Sequence, residues 1–217
     1  MKFLSYKVFD GKTNMQIDEE ILSSSINTLS EPVLRLYGWE KPTVTIGRNQ
    51  SIDSVNQEYC KNNCIDVVRR PTGGRALLHD KEITYSFVCA ASFLKSGQNI
   101  ISSYKEISEA LILGFKTLGI DLYYPEYKKV FPKNGYCMSV STGSDLSFQD
   151  KKLIGSAQYR KNGYILQHGS IILDIDSEIL KNLFNADASG LITLKEINPD
   201  LAQQPEIVCE AIKSGFE

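Results

Sequence analysis

The fold of this chain is indicated most strongly by residues 69–80, Arg69-Arg70-Pro71-Thr72-Gly73-Gly74-Arg75-Ala76-Leu77-Leu78-His79-Asp80. Apolar runs precede and follow this stretch, from Ile65 to Val68 and from Ile83 to Val88, and they predict a buried strand on each side. A Gly-Gly pair between strands permits positive φ angles and lets a ligand lie close to the main chain. Arginines beside it can pair with a carboxylate, a phosphate or a carbonyl. The stretch therefore predicts a ligand-binding loop between two strands.

Length and composition limit the possible classes of protein. With 217 residues, of which 42% are hydrophobic, the chain can bury one good core. The formal net charge of −2 argues against bulk nucleic-acid binding. No apolar run approaches the roughly 20 residues that span a bilayer, and the N-terminus does not resemble a secretory signal. We expect one cytoplasmic domain over residues 1–217, with no nucleic-acid or membrane partner.

The cysteines predict neither a disulfide framework nor a metal site. There are five, an odd number. Cys60 and Cys64 have a spacing that could hold half a metal site, but no second pair follows. We interpret Cys60, Cys64, Cys89 and Cys209 as ordinary buried or half-buried thiols in a reducing compartment.

The rest of the chain predicts strands flanked by helices, with an irregular and functional segment over residues 121–144. The predicted strands are Phe3–Phe9, Val33–Trp39, Thr43–Ile46, Leu146–Phe148, Leu153–Gly155 and Tyr164–Leu173. The predicted helices are 14–28, 99–118, a short helix with Ser177 as its N-cap, and 205–216. This order predicts an α+β fold with a mixed or mostly antiparallel sheet.

A second dense motif is Lys152-Leu153-Ile154-Gly155-Ser156-Ala157-Gln158. The small side chains leave room for a chain-like ligand, and the ammonium group of Lys152 can polarise an acyl carbonyl or neutralise a phosphate.

Together the two motifs resemble those of the family of lipoate–protein ligases, biotin–protein ligases and octanoyltransferases. Residues 33–50 and the strand Leu166-Gln167-His168-Gly169-Ser170 also resemble that family. The resemblance implies the biotin/lipoate ligase-like catalytic fold and transfer of an acyl cofactor to a carrier lysine. It further implies that Lys152 contacts the activated acyl group. The substrate-binding residues that it implies are Arg70, Gly73, Gly74, Arg75, His79, Gly155, Ser156, Ala157, Gln158, His168 and Gly169.

Two features favour the cysteine-dependent octanoyltransferase branch over the ATP-using ligases. Cys137 lies eighteen residues before Gly155. This placement resembles that of the nucleophilic cysteine in the octanoyltransferase branch. Arg75 stands where ligases more often have a third glycine. The length of the chain, without the extra C-terminal domain of many ligases, is a weaker argument for the same branch.

The resemblance implies a two-step transfer with Cys137 and Lys152 as catalytic residues. The octanoyl donor would be octanoyl acyl carrier protein. The acceptor would be a lipoyl domain, such as glycine cleavage H protein or a 2-oxoacid dehydrogenase E2. Lys152 would lower the pKa of the thiol, and backbone amides near Gly73-Gly74 or Gly155-Ser156 would hold the oxyanion.

Further roles follow for the surroundings of this site. Arg70 and Arg75 would stand at the pocket mouth or steer acidic carriers. Leu77, Ile154 and Ile165 would line an acyl tunnel. No cofactor or metal would be required.

Other interpretations stay open. An ATP-dependent lipoate ligase would need ATP and Mg²⁺ but not Cys137, and a lipoyl-domain amidotransferase would share the cysteine. An inactive module that senses lipoyl or biotinyl groups is a further alternative. Taken singly, Arg69 and Arg70 could be surface arginines, and His79 and His168 could be hydrogen-bonded structural histidines.

Overall fold

The computed structural model describes residues 1–28, 31–125 and 145–217. In chain order its strands are β1 (Lys2–Phe9), β2 (Val33–Trp39), β3 (Thr43–Ile46), β4 (Asp66–Arg69), β5 (Leu77–His79), β6 (Glu82–Ala90), β7 (Leu146–Phe148), β8 (Lys151–Lys161) and β9 (Tyr164–Ile172). Its helices are α1 (Gly11–Thr28), α2 (Gln57–Asn62), α3 (Ile100–Thr117), α4 (Ser177–Phe184), α5 (Leu194–Ile197), α6 (Pro199–Ala202) and α7 (Pro205–Phe216).

The strands form two sheets. The larger has six strands in the order β1-β2-β6-β9-β8-β7, and the smaller has three in the order β4-β3-β5. The pairs β1–β2 and β3–β4 are parallel, whereas β2–β6, β6–β9, β8–β9, β7–β8 and β3–β5 are antiparallel. The prediction of an α+β fold with a mixed, mostly antiparallel sheet is confirmed.

One face of the larger sheet carries the main hydrophobic core. Successive side chains of a strand point to opposite faces. Ile83, Tyr85 and Phe87 of β6 therefore share one face, where they pack with Leu111 and Phe115 of α3. The core lies between this face and the helices α3 and α7.

The opposite face of the same sheet is polar and yet buried. Its side chains alternate with those of the core, and they are Arg35, Tyr37, Thr84, Ser86, His168 and Ser170. Helix α1 packs on this face against β6 and β9. The smaller sheet contributes further residues, so this face lies inside the protein.

Three strands differ from the sequence prediction. The predicted buried strand Ile65–Val68 is β4, which starts one residue later and is half-buried because it is an edge strand. Strand β5 lies within the motif that predicted only a loop. Strand β8 continues from the predicted Leu153–Gly155 to Lys161, because β9 pairs with it over its whole second half. The pair Gln149-Asp150 predicts a tight turn between the strands Leu146–Phe148 and Leu153–Gly155, and the two residues form that turn with positive φ.

Three smaller predictions were wrong. The N-cap of α4 is Asp176, whose carboxylate accepts from the amides of Glu178 and Ile179, so Ser177 is the first helical residue. Cys64 follows α2 and is exposed rather than buried. The apolar period of helix 99–118 also predicts that Ile100 and Ile101 belong to its buried face, but they begin α3 in solvent, 58% and 68% exposed, because the apolar core is reached only from Ile107 onward.

None of the helices in the described part of the chain is long and apolar enough to cross a membrane. Within the same ranges, no group of three His, Cys, Asp or Glu side chains is placed to hold a metal ion.

Candidate active site

A cavity lies between the two sheets and encloses about 430 Å³ of empty space, its opening included. The lining residues come from α1, from both sheets and from the Gly-Gly stretch, and they are Met15, Tyr37, Thr45, Arg70, Leu77, His79, Thr84, Gly155, Ser156, Ala157, His168, Gly169 and Ser170. Both sequence motifs therefore meet at one cavity.

The side chain of Arg70 stabilises the Gly-Gly loop by hydrogen bonds. This side chain is buried. The guanidinium donates to Thr45 O and Thr45 Oγ1 at 3.1 Å, to Thr72 Oγ1 at 3.2 Å, and to the carbonyls of Gly73 and Arg75 at 2.7 Å. These bonds hold the loop around a fixed cation. The suggestion that Arg70 steers carriers from the pocket mouth is therefore wrong, because its charge is turned inward.

The Gly-Gly loop is packed against a second loop, residues 47–50. A Cβ on Gly47 would lie 2.0 Å from Gly74 O, so only glycine permits this approach. Gly74 has φ of 95°, the left-handed region that glycine favours. Arg69 donates to the carbonyls of Gly47 and Arg48 at 2.8 and 3.0 Å, and also to that of Gln50. The exposed Arg69 thus organises this second loop.

His79 is held at both ring nitrogens. Its Nδ1 lies 2.9 Å from Glu82 Oε1, and its Nε2 lies 2.8 Å from Thr45 Oγ1. A carboxylate can only accept, so Nδ1 carries the proton and Nε2 accepts from Thr45. Trp39 stacks on the imidazole at 4.0 Å between centroids.

His168 is held in the same way by a second set of residues. Its Nδ1 lies 3.1 Å from Asp18 Oδ2, and its Nε2 lies 2.7 Å from Thr72 Oγ1. Asp18 also binds Arg35 at 2.7 Å and accepts from Tyr37 at 3.0 Å. Both histidines are therefore fixed hydrogen-bonded groups whose rings border the cavity.

The charges in this network follow from burial and neighbours. Burial would raise the pKa of Asp18, but the hydrogen bonds and charges of His168 and Arg35 outweigh it, so the pKa lies below its usual value. Burial lowers the pKa of His168, which Asp18 opposes and the charge of Arg70 reinforces. The pKa of Glu82 is also low, because His79, Ser170 and Thr84 outweigh its burial. The ionised carboxylate of Asp18 thus lies beside the imidazole of His168, whose pKa is lowered.

Strand β8 presents its small residues to the cavity. Gly155 and Ala157 lie on the polar face of the sheet, opposite Ser170 and His168 of β9. Gly169 leaves no room for a side chain, since a Cβ there would lie 2.5 Å from the Tyr85 ring.

The other residues of this part of the motif belong to the helix side of the sheet. Ser156 borders the cavity, but its Oγ lies 2.7 Å from the hydroxyl of Tyr85. Gln158 is not part of the lining: its side chain donates to Gln167 at 3.0 Å and accepts from Arg160. We infer that Gln158 braces β8 rather than touching a bound chain.

Lys152 is buried and paired. Its Nζ lies 3.0 Å from Asp145 Oδ2, and the two side chains are 3% and 2% exposed. Asp145 directly follows the segment 126–144 in the sequence, so the ion pair joins the start of β8 to the first described residue after that segment. Cys137 lies in this segment, outside the described residues.

The structure places one of the three expected acyl-tunnel residues at the cavity and the other two in the core. Leu77 lines the cavity. Ile154 and Ile165 are fully buried in the core beneath α3 instead, because their strand positions place them on the apolar face.

Comparison with known proteins identifies the family. Residues 10–200 match the model of the lipoyl protein ligase A/B catalytic domain. The chain belongs to this family. Octanoyltransferase LipM of Carboxydothermus hydrogenoformans is 40% identical over 232 aligned residues, covering 100% of this chain and 86% of the relative. LipM of Halalkalibacterium halodurans is 35% identical, covering 96% and 82% of the two chains.

Solved structures of lipoyl ligases share the fold of this family member. Lipoate-protein ligase A bound with ATP superposes with a TM-score of 0.84 at 24% identity, covering 99% of this chain and 83% of the ligase. A bipartite lipoate protein ligase from Thermoplasma acidophilum gives 0.70 at 23% identity, with coverage of 99% and 81%. The family resemblance inferred from the two motifs is confirmed, and so is the expected catalytic fold.

Several residues of this lipoyl ligase-type site were not predicted from the sequence. Asp18, Arg35 and Glu82 carry the buried charges around the histidines, and Tyr37 and Thr84 border the cavity. The sequence carried one signal for these residues, because charged residues occur within otherwise apolar strands and within an amphipathic helix. Burial of such charges costs free energy unless they are paired.

Proposed function

We propose that this chain is an octanoyltransferase of lipoate biosynthesis, an acyltransferase that delivers octanoyl groups to a lysine of a lipoyl domain. The observation that carries the proposal is the identity of 35–40% with LipM octanoyltransferases over most of the chain. The cavity agrees with it, because small residues of β8 and β9 line it together with residues of the Gly-Gly stretch.

The proposed reaction has two steps. The thiolate of Cys137 attacks the carbonyl carbon of octanoyl acyl carrier protein, a C–S bond forms, and the thiol of the carrier leaves with a proton. The amine of the acceptor lysine then attacks the enzyme thioester, a C–N bond forms, the amine loses a proton, and the Cys137 thiolate is released. No redox partner or nucleotide is consumed.

The octanoyl chain would lie along the cavity between the sheets. Leu77 offers an apolar contact on one wall, and Gly155 on the opposite wall leaves space for the chain. Arg70, His79 and His168 hold this shape through their hydrogen bonds. Burial of the chain supplies the binding energy at about 0.8 kcal/mol per CH₂.

Lys152 would act at the carbonyl end of the chain. An ammonium group held by Asp145 beside β8 can stabilise charge that develops on the thioester oxygen. Gly155 and Ser156 lie beyond the end of β7, so on the side away from β9 their backbone has no strand partner in the described ranges. Their amides, or those of Gly73-Gly74, would complete the oxyanion site.

The proposed partners follow from this reaction. The acceptor is a lipoyl-domain protein, for which we propose glycine cleavage H protein or a 2-oxoacid dehydrogenase E2. The donor is octanoyl acyl carrier protein. We further propose that the protein acts as one catalytic domain in the cytoplasm without cofactor or metal.

Intact-protein mass spectrometry tests the proposal directly. The wild type, mixed with octanoyl acyl carrier protein in the absence of ATP, should gain one octanoyl group that hydroxylamine removes. Cys137→Ala should gain none, whereas Cys64→Ala, which alters an exposed thiol far along the chain, should behave as the wild type does.

Other outcomes of this experiment would contradict the proposal. An adduct that survives in Cys137→Ala would disprove the cysteine step. Absence of any adduct, together with pyrophosphate release from lipoate and ATP, would identify a ligase instead. An adduct formed only from an octanoylated lipoyl domain would identify an amidotransferase.

A further inference from the structure

The side chain of Arg48 joins the two sheets beside one end of the cavity, just beyond the lining residues. Arg48 lies in the loop 47–50 that follows β3 of the smaller sheet, and its guanidinium lies 4.4 Å from the centroid of the Tyr159 ring on β8 of the larger sheet. Tyr159 is on the same face of β8 as Ala157, which lines the cavity. This cation therefore stands at the rim.

The rim end of the cavity faces solvent. Arg48, Gly73 and Gly74 are exposed there, whereas Thr84 and Ser170, toward the other end, are buried. A ligand that reaches the cavity past the Gly-Gly loop would pass this arginine.

The loop that carries Arg48 is built to hold one position. The Arg48 amide donates to Thr72 O at 2.9 Å, and the Gly47 amide donates to the side chain of Gln50 at 3.1 Å. The side chain of Arg69 ties three carbonyls of the loop together. The guanidinium of Arg48 is thus presented from a fixed backbone.

The charge of Arg48 is available to a ligand. In the described part of the chain its guanidinium stacks on Tyr159 and forms no ion pair. By contrast, Arg70 is enclosed by the loop, and Arg160 is bound to Gln158 and to the carbonyl of Gly97. An arginine stacked on an aromatic ring keeps its edge free to form paired hydrogen bonds with a phosphate.

The proposed octanoyl donor carries such a group. Its thioester lies at the end of a pantetheine arm, and a phosphodiester joins that arm to the carrier protein. Tyr159 lies four residues from Gly155 along β8, about 13 Å at the usual rise of a strand. An arm whose thioester lies near Gly155 can span this distance.

We propose that Arg48, braced by Tyr159, binds the phosphodiester of the 4′-phosphopantetheine arm of the donor. This inference rests on the proposed function and extends it, because it assigns a binding residue for the donor outside the acyl cavity. The acceptor lysine carries no phosphate, so Arg48 discriminates between the two substrates that reach the same site.

Three donors that differ by one group each test the proposal. They are octanoyl-pantetheine, which lacks the phosphate, octanoyl-4′-phosphopantetheine, and octanoyl acyl carrier protein. Steady-state transfer to a lipoyl domain would be measured with wild type, Arg48→Gln, Tyr159→Leu and the control Lys161→Ala, which removes an exposed cation from the β8–β9 turn.

The expected result is selective. Arg48→Gln should raise the KM for the two phosphate-bearing donors about tenfold or more, as expected for loss of a charge-assisted hydrogen bond. The KM for octanoyl-pantetheine and for the acceptor should not change. Tyr159→Leu should give a smaller effect with the same selectivity, and Lys161→Ala should give none.

Several results would overturn the proposal. Equal effects on all three donors, or no effect, would show that Arg48 does not recognise the phosphodiester. An effect confined to the full carrier protein would place Arg48 against the protein surface instead. If the wild type used octanoyl-pantetheine but Arg48→Gln showed no selective effect on the phosphate-bearing donors, only the role of Arg48 would be disproved. If the wild type used no octanoyl thioester, the proposed function would fall with it.

Discussion

The two faces of the six-stranded sheet are both buried, but they are held together by different forces. The face beneath α3 is a continuous apolar core, with Ile83 and Phe87 among its fully packed members. The face beneath α1 carries Arg35, Thr84 and His168, which are satisfied by hydrogen bonds and ion pairs. Apolar packing tolerates small adjustments, whereas a buried charge depends on every partner. The polar face, which shapes the cavity, should therefore tolerate substitution less well than the apolar face.

Asp18→Ala gives the sharpest test of this difference. It should lower the free energy of unfolding by about 3–5 kcal/mol, because it leaves the buried guanidinium of Arg35 without its carboxylate. Denaturant unfolding followed by circular dichroism measures the loss. The double variant Asp18→Leu/Arg35→Met should lose less than the single one. A single-variant loss under about 1 kcal/mol would contradict the dependence of this face on its charges.

Leu111→Ala tests the apolar face. Removal of a fully buried leucine should cost about 3 kcal/mol, within the usual range of 2–5. Octanoyl transfer per folded molecule should stay at the wild-type rate, because Leu111 faces away from the cavity. Leu113→Ala on the same helix is the matched control: this side chain is 57% exposed and should change stability by less than about 0.5 kcal/mol. A large fall in kcat/KM for Leu111→Ala would show that the two faces are not separable.

Acid should weaken the polar face selectively. Because the pKa of His168 is lowered in the folded protein, the unfolded chain binds the proton first as pH falls below about 6.5. Stability is therefore full above that pH and declines below it, by about 1.4 kcal/mol for each unit of pKa lowering. Asp18 and Glu82, whose pKa values are also lowered, add a further loss below about pH 4.

His168→Gln checks the first part of this pH dependence. The variant should be less stable at pH 7 but should show a flatter dependence between pH 7 and pH 5 in unfolding titrations. An unchanged slope would mean that His168 titrates alike in both states.

Ser86→Ala should give the smallest effect, and of opposite sign. Ser86 Oγ is buried on the polar face with no hydrogen-bond partner in the described residues. Removing an unsatisfied hydroxyl should raise the free energy of unfolding by up to about 1 kcal/mol. Ser170→Ala, which removes a donor to Glu82, should lower it. A destabilised Ser86→Ala would show that the hydroxyl has a partner in the native protein.

The sequence predicted the elements that depend on local periodicity. The strands β2 and β3 and the helices α3 and α7 were placed within one residue, because each has a clear apolar period and a turn or cap at its end. The two motifs also predicted six of the thirteen residues that line the cavity, among them Arg70, His79 and Ala157.

The sequence could not predict the second buried face. Strands such as Leu34-Arg35-Leu36-Tyr37 alternate in the way that usually indicates one solvent-facing side. Only the docking of α1 and the smaller sheet buries that side, and this docking depends on contacts between distant residues. Asp18 reaches Arg35 across 17 residues and His168 across 150. The inward direction of Arg70 was missed for the same reason.

Arg70 also sets a limit on how this sequence can change. Its guanidinium has five N–H groups, and five hydrogen bonds to loop and strand oxygens use them. A lysine has three donors on a single atom and cannot reach the same oxygens at once. Substitution tables score the exchange of arginine for lysine as mild. At position 70, however, no single substitution preserves the five hydrogen bonds. A lineage that replaces it must rebuild the Gly-Gly loop as well, so this arginine and the shape of that loop are inherited as one trait.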